Sequence, residues 1–199
     1  SSAASDVYKR QHYSYETASS PYGGEYLGKV NGLAEMDGGA QSGWMGTLND
    51  WFVNASFSAF TAKNGTLAAG DEIRVLYTKT GYGADIGGDW STKSNTALSA
   101  LSFSSGTLSP AFDKDTLEYT LTLTEPANVT VAVTAANKCN QVYLTVGETS
   151  YRRSASIPME DGTVLTLRCG DAEEGTENTP AVVPTTYTCL LYTSPSPRD

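Results

Sequence analysis

Two segments define the first half of this chain: Gly43-Trp44-Met45-Gly46-Thr47-Leu48-Asn49-Asp50-Trp51 and Ala69-Gly70-Asp71-Glu72-Ile73-Arg74-Val75-Leu76-Tyr77. The first is an aromatic-rich strand pattern that runs into an Asn-Asp turn. In the second, Ile73, Val75 and Tyr77 alternate with mostly polar residues, which is the period-2 pattern of a half-buried strand. Trp44 and Trp51 carry the largest apolar surfaces here, so the sequence predicts a small sheet core around them.

Both ends of the chain have the character of translated sequencing adaptors. Asp6–Gln11 can be encoded by GAT GTG TAT AAG AGA CAG. The reverse complement of that string, shifted by one base, encodes Cys-Leu-Leu-Tyr-Thr and the start of a serine codon, which is what stands at Cys189–Ser194. We therefore interpret residues 1–11 and 189–199 as adaptor artefact, and we expect residues 12–188 to be an internal fragment of a longer gene.

Composition indicates an acidic surface, which suits a soluble or extracellular protein. The chain has 13 Lys and Arg against 22 Asp and Glu, for a formal net charge of −9. Such a surface disfavours nucleic acid and anionic membranes as partners. No apolar run approaches the roughly 20 residues that cross a bilayer. The length suits two small domains, and we expect any membrane or wall anchor to lie outside the fragment.

The strand patterns divide the chain into two domains. In residues 12–90, strands are predicted at Glu25–Ala34, Gly43–Leu48, Trp51–Val53 and Glu72–Thr78, with the middle two forming a hairpin. Residues 91–96 are a short polar linker. Residues 97–188 then show short strands at roughly ten-residue spacing, which is typical of an all-β sandwich. Its predicted strands are Leu98–Phe103, Glu118–Leu123, Val129–Thr134, Gln141–Val146, Tyr151–Ile157 and Thr163–Arg168.

The first domain resembles a known family over roughly residues 20–90. Ser42-Gly43-Trp44-Met45, then Asn49 at a turn, then Gly70-Asp71-x-Ile73 leading to Tyr77-Thr78, is similar to the transcobalamin C-terminal-like domain of bacterial secreted and surface proteins. The chain has Asn49-Asp50 where the family usually has Asn-Gly. The resemblance implies a small β-rich or α+β domain that is truncated at its N-terminus.

The second domain resembles the bacterial cadherin-like β-sandwich repeat. The resemblance is carried by the segment from Leu98 to Thr120, with a Gly turn at Gly106 and an Asp-rich turn over Asp113–Thr116. Leu101 and Phe103 are predicted to face a core, Leu108 and Phe112 to close its base, and the Asp-rich turn to lead into the strand that contains Tyr119. The family's closing strand is expected at Thr186-Tyr187-Thr188, where the adaptor would interrupt it. The acidic insertion Gly170–Pro184 is predicted to be a mobile loop.

Two cysteines lie outside the adaptor segments and could form either a disulfide or two free thiols. Cys139 precedes the predicted strand Gln141–Val146, and Cys169 follows the predicted strand Thr163–Arg168. If those strands are antiparallel neighbours in an oxidising compartment, the two thiols would lie close enough for a disulfide. Such a bridge would contribute on the order of 3–4 kcal/mol in the chain-entropy model. The alternative is two free buried thiols.

The sequence offers little for catalysis. It has one histidine, His12, so no Ser-His-Asp or Cys-His arrangement can be built around a second one. Gly-x-Ser-x-Gly, Walker-type and dinucleotide glycine motifs are absent from the sequence. We therefore expect a protein that is not an enzyme.

The sequence contains two candidate binding sites. Asp85 and Asp89 stand four residues apart among glycines, which is compatible with Ca²⁺ or with two Asp residues that simply cap turns. In transcobalamins the resembling domain covers one face of bound cobalamin. By that resemblance an aromatic platform is expected from Trp44, Met45, Tyr77 and Tyr82. The alternative is that Trp44 is simply core, since fold similarity does not establish ligand identity.

The combined interpretation is a non-catalytic part of a secreted or cell-surface bacterial protein. The first domain is expected to bind an extracellular ligand or surface partner, and the sandwich is expected to act as a spacer. Surface capture of a corrinoid is the second hypothesis. The third is that both domains are accessory modules of a larger extracellular enzyme.

Overall fold

The computed structural model describes residues 12–21, 23–53, 55–153 and 155–194. These residues form a mainly β protein, as the sequence predicted. Fifteen strands, β1 to β15, lie within the described ranges, where the only helical elements are three 3-10 turns at Phe57–Ala59, Ala84–Ile86 and Trp90–Thr92. The first half is therefore β rather than α+β.

Two three-stranded sheets make up the first half. The strands are β1 Tyr15–Ser19, β2 Glu25–Val30, β3 Leu33–Ala34, β4 Gly43–Leu48, β5 Trp51–Phe52 and β6 Ile73–Thr78. One sheet has the order β1-β2-β3 and the other the order β5-β4-β6. The predicted hairpin and the strand after it are confirmed, whereas β1 was missed because its sequence, Tyr-Glu-Thr-Ala-Ser, has no apolar alternation.

The β4–β5 hairpin is closed by a turn that needs two residues with positive φ. Asn49 and Asp50 have φ values of 50° and 66°, as a type I′ turn requires. The side chain of Asn49 accepts from the backbone N–H of Glu72 at 3.0 Å and donates to Asp71 Oδ1 at 3.0 Å. An Asn-Asp pair thus makes the turn without glycine. The Asn49 side chain also bonds the turn to the residues just before β6.

Residues 98–193 form a two-sheet sandwich. Its strands are β7 Leu98–Phe103, β8 Thr107–Ser109, β9 Glu118–Leu123, β10 Ala127–Ala135, β11 Val142–Val146, β12 Thr149–Tyr151, β13 Ser156–Met159, β14 Val164–Cys169 and β15 Thr185–Thr193. The order is β13-β10-β7 in one sheet and β12-β11-β14-β15-β9-β8 in the other. Buried side chains from both sheets, among them Leu101, Val131, Leu144 and Tyr187, share one apolar core.

Two parts of the sandwich differ from the predicted strands. The single strand predicted at Tyr151–Ile157 is two strands, β12 and β13, and the break between them contains Arg152 and Arg153. The last strand continues past Thr188, and Cys189 and Leu191 fill the core with at most 1% of their surface exposed. Residues 1–11 and 195–199, which include most of the expected adaptor sequence, lie outside the described residues.

The acidic segment 170–184 is a loop that packs on the rest of the protein, and it is not the mobile loop that the sequence predicted. Glu173 and Val182 form an antiparallel bridge, and Val182 is 4% exposed. The hydroxyl of Thr96 donates to the carbonyl of Val183 at 2.8 Å, and Lys93 forms an ion pair with Glu173. The prediction of a mobile loop rested on acidic composition, which does not reveal these contacts to residues 93–96.

The segment predicted as a linker is held between the two halves. Asn140 donates through Nδ2 to the carbonyls of Lys93 and Asn95, both at 2.9 Å. Asn137 donates to the carbonyl of Asp89 at 2.6 Å. Residues 91–96 therefore connect the halves without serving as a flexible spacer in this structure.

Side chains and backbone also join the halves directly. Arg152, from the β12–β13 break, forms an ion pair with Asp71 and donates to the carbonyls of Gly65 and Thr66, both at 3.1 Å. Arg153 donates to the carbonyls of Asn49 and Val133. The bond from Arg153 to Val133 stays within the sandwich, and the others join the sandwich to turns of the first half. The contact surface between the halves, here called the seam, therefore contains several polar contacts.

Candidate functional site

Trp44 and Tyr77 form the centre of the predicted aromatic site. They are opposite each other on β4 and β6, and their rings meet edge to face with centroids 5.2 Å apart. Trp44 donates its indole N–H to the carbonyl of Leu33 at 2.8 Å, and the Tyr77 hydroxyl donates to the carbonyl of Ala34 at 2.9 Å. Both side chains therefore tie the β5-β4-β6 sheet to the segment that follows β2.

The four predicted ligand residues do not form one flat platform. Trp44 and Met45 are consecutive on β4, so their side chains point to opposite faces of the sheet. Met45 packs on the far face, where its sulfur would lie 3.0 Å from a Cβ added at Gly83. Tyr82 is 55% exposed on the loop after β6 and has φ of +49°. The structure brings Trp44 and Tyr77 together and separates Met45 from them.

A groove that the sequence analysis missed lies beside Trp44. Its volume is about 640 Å³, within the roughly 300–1,000 Å³ of small-molecule sites. Here called the aromatic groove, it is bounded by Tyr13, Tyr15, Leu27, Val30, Asn31, Leu33, Trp44 and Val75. It opens between the two sheets of the first half. In the sequence, only the Tyr-rich start of the chain indicated part of this lining. The other lining residues come from strands that meet only in the tertiary structure.

Exposed large apolar side chains concentrate in this half of the molecule. Of the thirteen among the described residues, eight belong to the first half: Tyr13, Tyr15, Tyr26, Leu33, Met36, Ile73, Val75 and Tyr82. Four of these eight line the aromatic groove. Single exposed apolar residues are ordinary, but a group of them around one concavity marks an interaction surface.

Asp85 and Asp89 each accept hydrogen bonds within a separate local turn. The carboxylate of Asp85 accepts from the hydroxyl of Thr78 and from the backbone N–H of Lys79 at 2.9 Å, and these bonds lower its pKa. Asp89 accepts from the hydroxyl of Ser91 at 2.6 Å and from its N–H at 2.9 Å, which lowers the Asp89 pKa. Among the described residues no group of three or more His, Cys, Asp or Glu side chains could hold a metal ion. The turn-capping alternative accounts for both carboxylates.

The two candidate disulfide cysteines are free thiols in the structure. Their flanking strands β11 and β14 are antiparallel neighbours, as expected, with Val142 opposite Cys169. Cys169 lies in the sandwich core, whereas Cys139 lies beside Gly88 of the first half. Burial raises the pKa of each thiol to about 12, so neither is a reactive nucleophile.

Comparison with known proteins leaves the two family resemblances as predictions. A scan against protein-family models found no match, and searches of curated proteins and of solved structures also returned no similar protein. Within the described ranges, no helix has the length and apolar character needed to cross a membrane.

Proposed function

We propose that this chain is a non-catalytic binding module of a secreted or cell-surface bacterial protein, and that the aromatic groove holds its ligand. The observation that carries the proposal is the groove itself, about 640 Å³ between two sheets and lined largely by Tyr, Leu, Val and Trp side chains. Several of these side chains remain substantially exposed, including Tyr13 at 60% and Tyr15 at 68%. A ligand with a flat apolar face would remove that surface from water.

The groove is also built on rigid elements, which supports a binding role. The N–H of Trp44 and the hydroxyl of Tyr77 are both used in internal hydrogen bonds, so the indole ring is held in one orientation. A fixed aromatic wall loses little conformational entropy when a ligand docks on it.

Binding of anilinonaphthalene sulfonate, whose fluorescence rises in apolar sites, tests the proposal. We expect a saturable signal with the native chain and a signal reduced at least about fivefold by Trp44→Ala, because the indole contributes the largest single wall of the groove. Tyr15→Ser, at an exposed position, should also weaken the signal while leaving the fold intact. Tyr192→Ser, on the exposed face of β15, is the matched control. Equal signals from all four proteins would contradict the assignment of the groove.

Corrinoid capture is the second candidate, favoured by the presence of Trp44 in the groove wall. A corrin ring is a large, flat ligand of the kind an aromatic wall accepts. Adding cobalamin to the native chain would then change its visible absorption spectrum, and Trp44→Ala would weaken the change. An unchanged spectrum, together with intact binding of the naphthalene probe, would exclude corrinoid and keep the groove as a site for another apolar ligand.

A further inference from the structure

A second concavity lies at the seam between the two halves. It has a volume of about 480 Å³ and draws its walls from both halves. The first half contributes Leu48, Asn49, Trp51, Phe60 and Thr66, and the sandwich contributes Gln141, Tyr143, Ser150, Tyr151 and the two arginines Arg152 and Arg153, among others. Junctions between domains are preferred places for small-molecule sites. This concavity is here called the seam cavity, and it is distinct from the aromatic groove.

Aromatic side chains stand on both sides of the seam cavity. Trp51 and Phe60 meet edge to face with centroids 6.3 Å apart on the side of the first half. Tyr143 and Tyr151 stand on the sandwich side. All four side chains are only partly buried, so the cavity has apolar faces that solvent can reach.

Hydrogen-bonding groups in the same walls are unused. In the described part of the chain, the indole N–H of Trp51 and the hydroxyl of Tyr151 have no hydrogen-bond partner. Gln141 accepts from Tyr143 through Oε1 at 2.9 Å, which leaves its amide NH₂ group available. The cavity therefore presents two free donors and a hydroxyl that can donate or accept.

Both guanidinium groups at the cavity are engaged within the protein. Arg152 is paired with Asp71 and bonded to two carbonyls, and Arg153 uses both of its terminal nitrogens to donate to the carbonyls of Asn49 and Val133. The net charge of −9 further disfavours a phosphate or carboxylate ligand. A purely apolar ligand would bury the unused donors without partners, which is costly.

We propose that the seam cavity binds a neutral saccharide. A sugar ring has C–H faces that pack on aromatic rings and hydroxyl groups that both donate and accept hydrogen bonds. It thus matches the aromatic walls, the free N–H and O–H groups and the two guanidinium groups that are already bonded within the protein. The site exists only while the two halves are docked, so Arg152 and Arg153 are positioning residues that hold its two walls together.

Isothermal titration calorimetry of the full chain with maltotriose, cellotriose and chitotriose tests this inference. We expect saturable binding of at least one of the three. Tyr151→Phe keeps its ring and removes one hydroxyl, whereas Trp51→Phe keeps an aromatic ring but removes the indole N–H and part of the ring surface. Each should weaken that binding about three- to tenfold. Tyr192→Phe removes a hydroxyl from an exposed site outside the cavity and should leave the affinity unchanged.

Three results would overturn the inference. The first is that none of the three trisaccharides binds at millimolar concentration. The second is binding that Trp51→Phe and Tyr151→Phe leave unaltered, since the sugar would then sit elsewhere. The third is that Trp44→Phe weakens sugar binding more than Trp51→Phe does, which would move the site to the aromatic groove. Thermal melts of all variants confirm that the fold is retained, because each substitution preserves an aromatic ring.

Discussion

At the residue scale, Gly46 shows how the absence of a side chain positions an aromatic ring. It sits in the middle of β4, and the ring of Phe57 lies directly above it. A Cβ added at Gly46 would be 1.9 Å from the Phe57 ring, far inside van der Waals contact. The loop that contains Phe57 can therefore cover β4 only because this strand residue is glycine.

Gly46→Ala is expected to destabilise the protein by about 1–3 kcal/mol, because Phe57 must be displaced from the sheet. Gly43→Ala is the matched control in the same strand, since its added Cβ would meet the Cβ of Glu35 at an ordinary 3.6 Å. That variant should be neutral or stabilising by up to about 1 kcal/mol. Urea unfolding measures both, and equal effects would show that Phe57 does not rest on Gly46.

The same strand explains which site residues the sequence could identify. The sequence singled out Trp44 as one of the two residues with the largest apolar surface in the first half, whereas its pairing with Tyr77 is decided by the register of β4 and β6. Met45 was included by family resemblance, but strand geometry places it on the other face. The free N–H of Trp51 could not be anticipated, because its surroundings come from residues far away in the sequence.

At the scale of elements, segment 170–184 differs most from its sequence pattern. Its acidic residues predicted a solvated loop, yet Val182 is buried and bridges to Glu173. The next residue, Val183, is 70% exposed, and only its carbonyl is used, by Thr96. The buried valine, the bridge to Glu173, the bond from Thr96 and the Lys93–Glu173 ion pair hold a segment whose composition alone indicates mobility.

Val182→Ala is expected to cost about 2 kcal/mol, because it removes buried methyl groups and leaves a small void. Val183→Ala, one residue further along the same loop, should change the free energy of unfolding by less than about 0.5 kcal/mol. Chemical denaturation of the two variants makes the comparison. If the segment did not pack on the rest of the protein, both substitutions would leave the free energy of unfolding unchanged.

At the scale of the whole molecule, contacts across the seam join the two halves that the sequence patterns distinguish. The Asp71–Arg152 ion pair joins the start of β6 to the β12–β13 break, and the Asp71 side chain is 1% exposed. The hydrogen bonds from Arg152 are the main cause that lowers the pKa of Asp71 from 3.8 to about 2. Docking of the halves therefore stabilises the charged form of this carboxylate, in addition to the bonds from Asn49 and from the N–H of Ala68 within the first half.

This coupling predicts a specific loss of stability in acid. The folded-state pKa of Asp71 is below its unfolded value, so its contribution is complete above about pH 4 and is lost as the pH falls through about 2. The shift corresponds to about 2 kcal/mol. Asp71→Asn should therefore be less stable than the native chain by about that amount at pH 6, and the difference should shrink toward pH 2.

Urea unfolding between pH 6 and pH 2 measures that difference. Glu148→Gln removes an exposed carboxylate from the turn between β11 and β12 and supplies the baseline. If the difference in the free energy of unfolding between the native chain and Asp71→Asn stayed constant across this range, protonation of Asp71 would not change stability and the prediction would be wrong.

The sequence by itself determined the fold class, most strand positions and the location of the main aromatic residues. Leu98–Phe103 and Glu118–Leu123 were predicted to the residue, because alternation and turn residues act locally along the chain. Only the tertiary structure decided which faces of the strands meet, where the seam forms and which polar groups remain unused. Those features depend on contacts between residues far apart in the sequence, such as Asn49 and Arg153, which are 104 positions apart, and no local pattern encodes them.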